Sequence, residues 1–255
     1  MTNVFLNGCN GRMGKTIVQF IEETEDIKIV AGADIAEMPK SGSPAESFSF
    51  YNDAMQVKED FDVIVDFSHV SGLSSILELA EKTRKPLVLC TTGFSETDKE
   101  KIRRQSENTP VFYSANMSLG INLLISLVQK AASVLYPDFD VEIIEAHHNQ
   151  KLDAPSGTAL MIGDAIHQTL DQKMEYVYDR HSQKKKREKN EIGFHAIRGG
   201  SITGDHSVVF AGQEEVFTIS HHAQSRGVFA RGAIAAAKFM ANKKPGLYEM
   251  KDLVE

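Results

Sequence analysis

Up to Tyr113 the chain alternates short apolar runs with amphipathic stretches, and this rhythm narrows the possible folds more than any other feature. Val4-Phe5-Leu6, Ile27 to Asp34, Asp62 to Phe67, Pro86 to Cys90 and Val111 to Tyr113 read as strands. Ile17, Val18, Phe20 and Ile21, and then Leu73, Ile76, Leu77 and Ala80, form apolar stripes at helical spacing. Strands separated by helices predict parallel pairing with right-handed crossovers, because each such strand must be covered on both faces.

The rhythm changes after residue 118. A long helix is predicted from about Gly120 to Leu135, then a strand over Val141 to Ala146 and a helix from about Thr158 to Leu170. Three further strands, Ile192 to Arg198, Ser207 to Ala211 and Val216 to Ser220, have no helix between them, so antiparallel pairing is expected. The run Lys184 to Lys189 reads as a solvated loop, and a last helix is predicted over about Ala230 to Met240. The expected fold class is α/β, with a nucleotide-type unit followed by a smaller α+β unit.

With 42% apolar residues in 255, the chain can bury a sizeable core. Its 28 Lys and Arg against 35 Asp and Glu give a net charge of −7, which disfavours a general nucleic-acid binder. No apolar run approaches the ~20 residues of a bilayer span, and the start, Met1 to Gly8, resembles no signal peptide. Two cysteines, Cys9 and Cys90, cannot build a disulfide scaffold or a four-cysteine zinc site. The expectation is a cytoplasmic protein with no metal, no nucleic acid and no membrane partner.

Gly8-Cys9-Asn10-Gly11-Arg12-Met13-Gly14 lies between the first strand and the first helix. Glycines there permit a tight turn and close backbone approach to a pyrophosphate, and the helix start offers free N–H groups. The spacing is G-x-x-G-x-x-G rather than the dinucleotide fingerprint, and a ligand-free strand-to-helix turn is the plainer alternative. Asp34 ends the second strand where an acid can accept hydrogen bonds from a ribose diol; the plainer role is a strand-end cap. An acid there repels a 2′-phosphate and Ile35 offers no offsetting cation, so NADH should serve at least as well as NADPH. Arg12 could reach an adenine or a 2′-phosphate.

The densest polar cluster runs from Glu145 to Ala159 (EAHHNQKLDAPSGTA). Ser156-Gly157-Thr158 at a helix start can present amides to a carboxylate, and Lys151 adds a point charge. His147 or His148 is the natural general acid. Adjacent residues of a strand point to opposite faces, so His147-His148 and His221-His222 make poor chelating pairs and no metal is expected. Half-buried structural histidines are the competing reading.

These motifs together resemble the dihydrodipicolinate reductase family of lysine and diaminopimelate synthesis over the whole length. The segment His147 to Ala159 carries most of the likeness, supported by Gly8 to Gly14, Thr91-Thr92-Gly93-Phe94, Ser114-Ala115-Asn116-Met117, Arg198-Gly199-Gly200 and Gly204-Asp205-His206. The resemblance implies a Rossmann-like nucleotide-binding domain of residues 1–118 and 228–255, made discontinuous by the returning last helix. It implies a substrate-binding and tetramerisation domain over 119–227, in a homotetramer. It makes His147 the proton donor and Lys151 the second catalytic residue, with His148, Gly157 and Thr158 on the substrate. Gly8, Cys9, Asn10, Gly11, Arg12, Met13, Asp34, Thr91, Thr92, Gly93, Ser114, Ala115, Asn116 and Met117 would line NADH or NADPH. Asp34 stands where relatives carry Glu, and Cys90 where a glycine often precedes the Thr-Thr pair.

The implied reaction is hydride transfer to a small cyclic imine dicarboxylate followed by protonation, with domain closure about hinges near residues 118 and 228. An anionic protein cannot steer anionic ligands globally, so the cations must be local: Lys151, Arg198 and Arg12. A related reductase with another small carboxylate substrate, and a redox sensor that binds NADH without turnover, are the alternatives.

Overall fold

Apolar alternation becomes layered structure in the computed structural model, which describes residues 1–36 and 47–254; positions 37–46 and 255 of the expected first domain lie outside the described residues. In chain order the elements are β1 (Thr2–Asn7), α1 (Arg12–Glu22), β2 (Ile27–Ala33), β3 (Ser49–Tyr51), β4 (Val63–Asp66), α2 (Leu73–Thr83), β5 (Leu87–Leu89), α3 (Glu96–Ser106) and β6 (Pro110–Tyr113). They continue as α4 (Leu119–Leu135), β7 (Asp140–His147), α5 (Gly157–Thr169), β8 (Glu175–Val177), β9 (Glu191–Arg198), β10 (Asp205–Ala211), β11 (Val216–His222), α6 (Gly227–Met240), β12 (Gly246–Tyr248) and α7 (Lys251–Val254). The chain divides into two compact units, Met1–Leu119 with Gly227–Glu255, and Gly120–Arg226.

The first unit carries a seven-stranded sheet of order β12-β6-β5-β4-β1-β2-β3, parallel at every described pairing. Successive residues of β1 divide between two cores, as pleating requires. Val4 and Leu6 pack with Ile17, Val18 and Ile21 of α1 and with Ala233, Ala237 and Met240 of α6. Phe5 faces the other way, toward Leu73, Ile76 and Leu77 of α2 and Ile102 of α3. Because β2 lies on one side of β1 and β4 on the other, the strand order reverses at β1. In open α/β sheets ligands bind at such a reversal, beyond the carboxyl ends of the strands.

The second unit carries a five-stranded sheet of order β11-β10-β7-β9-β8. Its inner face, with Val141, Ile143, Phe194, Val208 and Phe210, packs on Leu124, Val128 and Ala132 of α4 and on Ile162 and Ile166 of α5. The antiparallel expectation holds for β10, which runs against both β7 and β11, but not for β9, which is parallel to β7 and β8. The cause is the segment between β8 and β9, which is long enough to carry the chain back to the start of the sheet. That segment contains the basic run, and it is not simply solvated. Arg187 donates to Asp140, Glu142 and the carbonyls of Val141 and Glu191, while Lys185 pairs with Glu188 and Glu191. The cations fasten the crossover to the carboxylates of β7 and β9.

Candidate functional site

In the first unit the glycine turn is shaped by what surrounds it. Gly8 has φ +81°, and a Cβ there would lie 2.6 Å from the Phe67 carbonyl oxygen. A Cβ on Gly14 would lie 2.1 Å from the Gly8 carbonyl oxygen, so α1 can start close against the turn only because both positions are bare. Gly8 and Cys9 both donate their amides to the Ala33 carbonyl. Asp34 accepts from the Asn10 amide at 2.9 Å and the Ala36 amide at 3.0 Å, so it fastens the turn to the end of β2.

This turn borders a cleft of about 410 Å3 lined by Gly8, Gly11, Asp34, Ile35, Ser68 and His69, among others, a size in the ~300–1,000 Å3 range of small-ligand sites. Gly11 caps α1 without a side-chain hydrogen bond, and the first turn of the helix holds no acid. A backbone cradle that a Cβ would fill, at an uncapped helix start of this kind, fits the pyrophosphate of a dinucleotide. Arg12 is exposed beside it, and Asn10 and Met13 are half-buried.

The other residues expected around a cofactor divide by what their side chains do. Cys9 is buried in the core, and burial followed by the nearby Asp34 charge pushes its thiol up to about 12, so only its backbone faces the turn. The Thr91 hydroxyl donates to buried Asp66 at 2.8 Å, while Thr92 and Gly93 are exposed. Asp66 also accepts from Asn7 and Ser68. Burial raises its pKa, and these donors work against that rise. In the Ser114–Met117 loop, Ala115 is exposed, whereas Asn116 and Met117 are buried. A Cβ on Gly232 of α6 would lie 1.6 Å from the Met117 carbonyl oxygen, so the loop rests directly on that helix. The Ser68-His69 pair, just past the strand read over Asp62 to Phe67, also lines the cleft, and no sequence motif marks it. Its place just beyond the carboxyl end of a central strand was the available signal.

The second unit brings His147, Lys151 and the start of α5 together through two carboxylates. Glu145 and His147 are two residues apart on β7 and therefore share its inner face. The Glu145 carboxylate is 1% exposed, lies 2.6 Å from His147 Nδ1 and accepts the Ser156 amide at 3.1 Å. Arg198, opposite His147 in the register of β9, clamps Glu145 with two hydrogen bonds of 2.8 Å. Burial opposes the Glu145 charge, yet the Arg198 and His147 hydrogen bonds outweigh it and hold the carboxyl below its ordinary range.

The second carboxylate, Asp153, lies 2.8 Å from Lys151 Nζ and also accepts the Gly157 amide. Lys151, foremost, keeps its pKa low. Ser156 caps α5, its hydroxyl accepting from the Ala159 amide and lying 3.1 Å from Nε2 of buried His206. Burial, then the neighbouring His147, drives His206 down to about 4. A Cβ on Gly157 would meet nothing within 4 Å, so space lies open in front of the helix start. Thr158 and His148 are half-buried.

The sequence offers Arg198 as a cation for the substrate; the structure commits it to Glu145. Glu145 and Asp153 are the functional partners that the sequence leaves unassigned, although a Glu two residues before a strand-end His is a readable sign. No group of three or more His, Cys, Asp or Glu able to hold a metal occurs among the described residues.

Comparison with known proteins decides the family. The N-terminal dihydrodipicolinate reductase family model matches residues 2–117 and the C-terminal one matches residues 120–254.

The chain belongs to the dihydrodipicolinate reductase family.

It is 51% identical over 255 residues to 4-hydroxy-tetrahydrodipicolinate reductase of Caldanaerobacter subterraneus subsp. tengcongensis, covering 100% of this chain and 99% of that protein. Identity to the Clostridium botulinum protein of the same name is 49%, over 100% and 98% of the two chains. A solved dipicolinate-bound dihydrodipicolinate reductase from Paenisporosarcina sp. TG-14 shares the fold, with a TM-score of 0.82 at 24% identity and 99% of each chain covered. Membership of the dihydrodipicolinate reductase family makes this chain an NAD(P)H-dependent oxidoreductase of lysine and diaminopimelate synthesis.

Proposed function

We propose that the chain reduces 4-hydroxy-tetrahydrodipicolinate to tetrahydrodipicolinate, the activity that names its relatives, with His147 and Lys151 as its catalytic side chains. The carrying observation is the pair of carboxylates that tie the imidazole and the ammonium to one helix start.

The backbone of Gly8 to Met13 would hold the dinucleotide pyrophosphate, with Asp34 on the ribose and the Thr91–Gly93 and Ser114–Met117 loops bordering the site. When bound, the nicotinamide cofactor supplies a hydride. Asp34 lines the cleft together with Ile35, which brings no cation, so NADH serves at least as well as NADPH.

Lys151 and the amides of Gly157 and Thr158 bind the carboxylates of the substrate, and His148 borders them. The Lys151 charge also steadies the electron-rich ring left by reduction. Water leaves the hydroxylated substrate first, giving the conjugated ring that takes the hydride, and His147 then gives a proton to the carbon beside the reduced one. Local cations thus do what the protein's net negative charge cannot.

The second unit serves substrate binding and assembly into a homotetramer. Support comes from the outer face of its sheet, where Ile144 and Ile197 are exposed. A cytoplasmic location belongs to the same proposal, as the place of a biosynthetic reductase; among the described residues no helix is long and apolar enough to cross a membrane.

The test follows NADH and NADPH absorbance with freshly generated product of dihydrodipicolinate synthase. Turnover is expected. Turnover with other small carboxylates alone would favour a sister reductase, and tight NADH binding without turnover a sensor.

A further inference from the structure

The proposed acid, His147, does not stand alone at the end of β7. Its Nδ1 lies 2.6 Å from a Glu145 oxygen, and that carboxylate is almost wholly buried. An ionised carboxylate only accepts hydrogen bonds, so the nitrogen facing it must carry a proton. Glu145 is held in the ionised form by its surroundings: two hydrogen bonds from Arg198 and one from the Ser156 amide complete its shell. Arg198 is itself fixed, donating in addition to the carbonyls of Ile197 and Asp153.

The far side of the ring is kept open. A Cβ on Gly204 would lie 3.1 Å from His147 Nε2, closer than an ordinary contact, so the absence of a side chain there leaves that nitrogen uncovered. His206 packs edge-on against the ring, with centroids 5.2 Å apart, and limits its rotation.

We infer that Glu145 is a positioning residue for the reduction: clamped by Arg198, it fixes the His147 proton on Nδ1 and leaves Nε2, beneath Gly204, as the atom that passes a proton to substrate. This rests on the proposed role of His147. It adds which nitrogen works, what selects it and why position 204 is bare. Arg198 acts through Glu145 and not through substrate.

The charges facing the ring set the sign of the test. Glu145 comes from its own strand, Arg198 from β9 and His206 from β10, while Lys151, in the loop that follows β7, acts on His206. His206 is neutral near pH 7 because burial has driven it to about 4, and Lys151 is paired with Asp153. Removing the Glu145 charge therefore leaves Arg198 uncompensated beside the imidazole and makes the imidazolium harder to form.

In Glu145→Gln, kcat should fall by about 10²-fold. The alkaline limb of the kcat profile, where the acid loses its proton, should move about one unit to lower pH. A structural role alone would lower activity without moving that limb. Glu145→Asp keeps the charge and should keep the limb in place despite a lower kcat. Nitrogen-15 spectra of histidine-labelled wild-type protein give a readout that needs no turnover: neutral His147 should be protonated on Nδ1 and bare on Nε2. Finding the proton on Nε2 in wild type, or an unmoved limb in folded Glu145→Gln, would overturn the inference. If the Nδ1 form is found yet His147→Ala turns over at the native rate, the positioning stands and the acid role falls.

Discussion

The Lys151 ammonium lies 2.8 Å from the Asp153 carboxylate, which also accepts the Gly157 amide, so an acid of the chain itself holds the donors assigned to the substrate. A bound dicarboxylate must share or displace it. The pair is partly exposed and such pairs are worth only ~0.2–1 kcal/mol, so displacement costs little. Asp153→Asn is expected to lower the KM for the dicarboxylate by about two- to fivefold with kcat little changed. Initial-rate kinetics check this, and a raised KM would count against the overlap.

Removing the proton donor should act on the chemical step. His147→Ala is expected to lower kcat by ~10²–10⁴-fold with little change in KM. Lys151→Ala, which takes away both a binding charge and a stabilising one, should damage KM and kcat together. Steady-state kinetics of the two variants separate these roles.

Two glycines should respond in opposite ways to the same added methyl group. Gly8→Ala forces a Cβ to within 2.6 Å of the Phe67 carbonyl in a left-handed backbone, and should destabilise the first unit by more than ~1 kcal/mol and abolish cofactor binding. Gly157→Ala meets nothing within 4 Å, so melting should be unchanged or slightly raised while the substrate KM rises. Calorimetry beside kinetics distinguishes a structural glycine from one that makes room for a ligand.

Asp34→Ala removes the carboxylate from the cleft that the glycine turn borders. The KM for NADH should rise more than that for NADPH, narrowing the gap between them. Parallel titration of the two cofactors measures this.

His206 should make folding sensitive to acid. Its folded pKa, about 4, is below the ordinary 6.5. The unfolded chain therefore binds the extra proton first, and stability rises with pH between these values. The contribution is fully present above about 6.5 and is lost as pH falls toward about 4, amounting to at most ~3 kcal/mol at one pKa unit per 1.36 kcal/mol. Urea unfolding at stepped pH should show the loss, and His206→Gln should remove much of it.

Periodicity revealed the layered α/β character because β1, β4 and β5 are buried on both faces and leave continuous apolar runs. It passed over α3, whose sequence ETDKEKIRRQS buries only Ile102 and Ser106. The Ser95–Asp98 capping box at its start was the readable sign. β3, β8 and β12 are three residues each and too short to show a period. At the site, His147 and Lys151 stood out because few residue types do their chemistry. The duty of Arg198 could not be read, since whether a cation faces a ligand or a buried Glu depends on register between strands far apart in sequence.

The first unit's core needs both ends of the chain. α1 and the inner residues of β1 pack on Ala233, Ala237 and Met240, which follow the whole second unit in sequence. During synthesis, therefore, a ribosome that has released the glycine turn still holds the helix that must seal it. The nucleotide-type half cannot mature first, and a chain stopped short of α6 leaves that apolar surface exposed to proteases and chaperones.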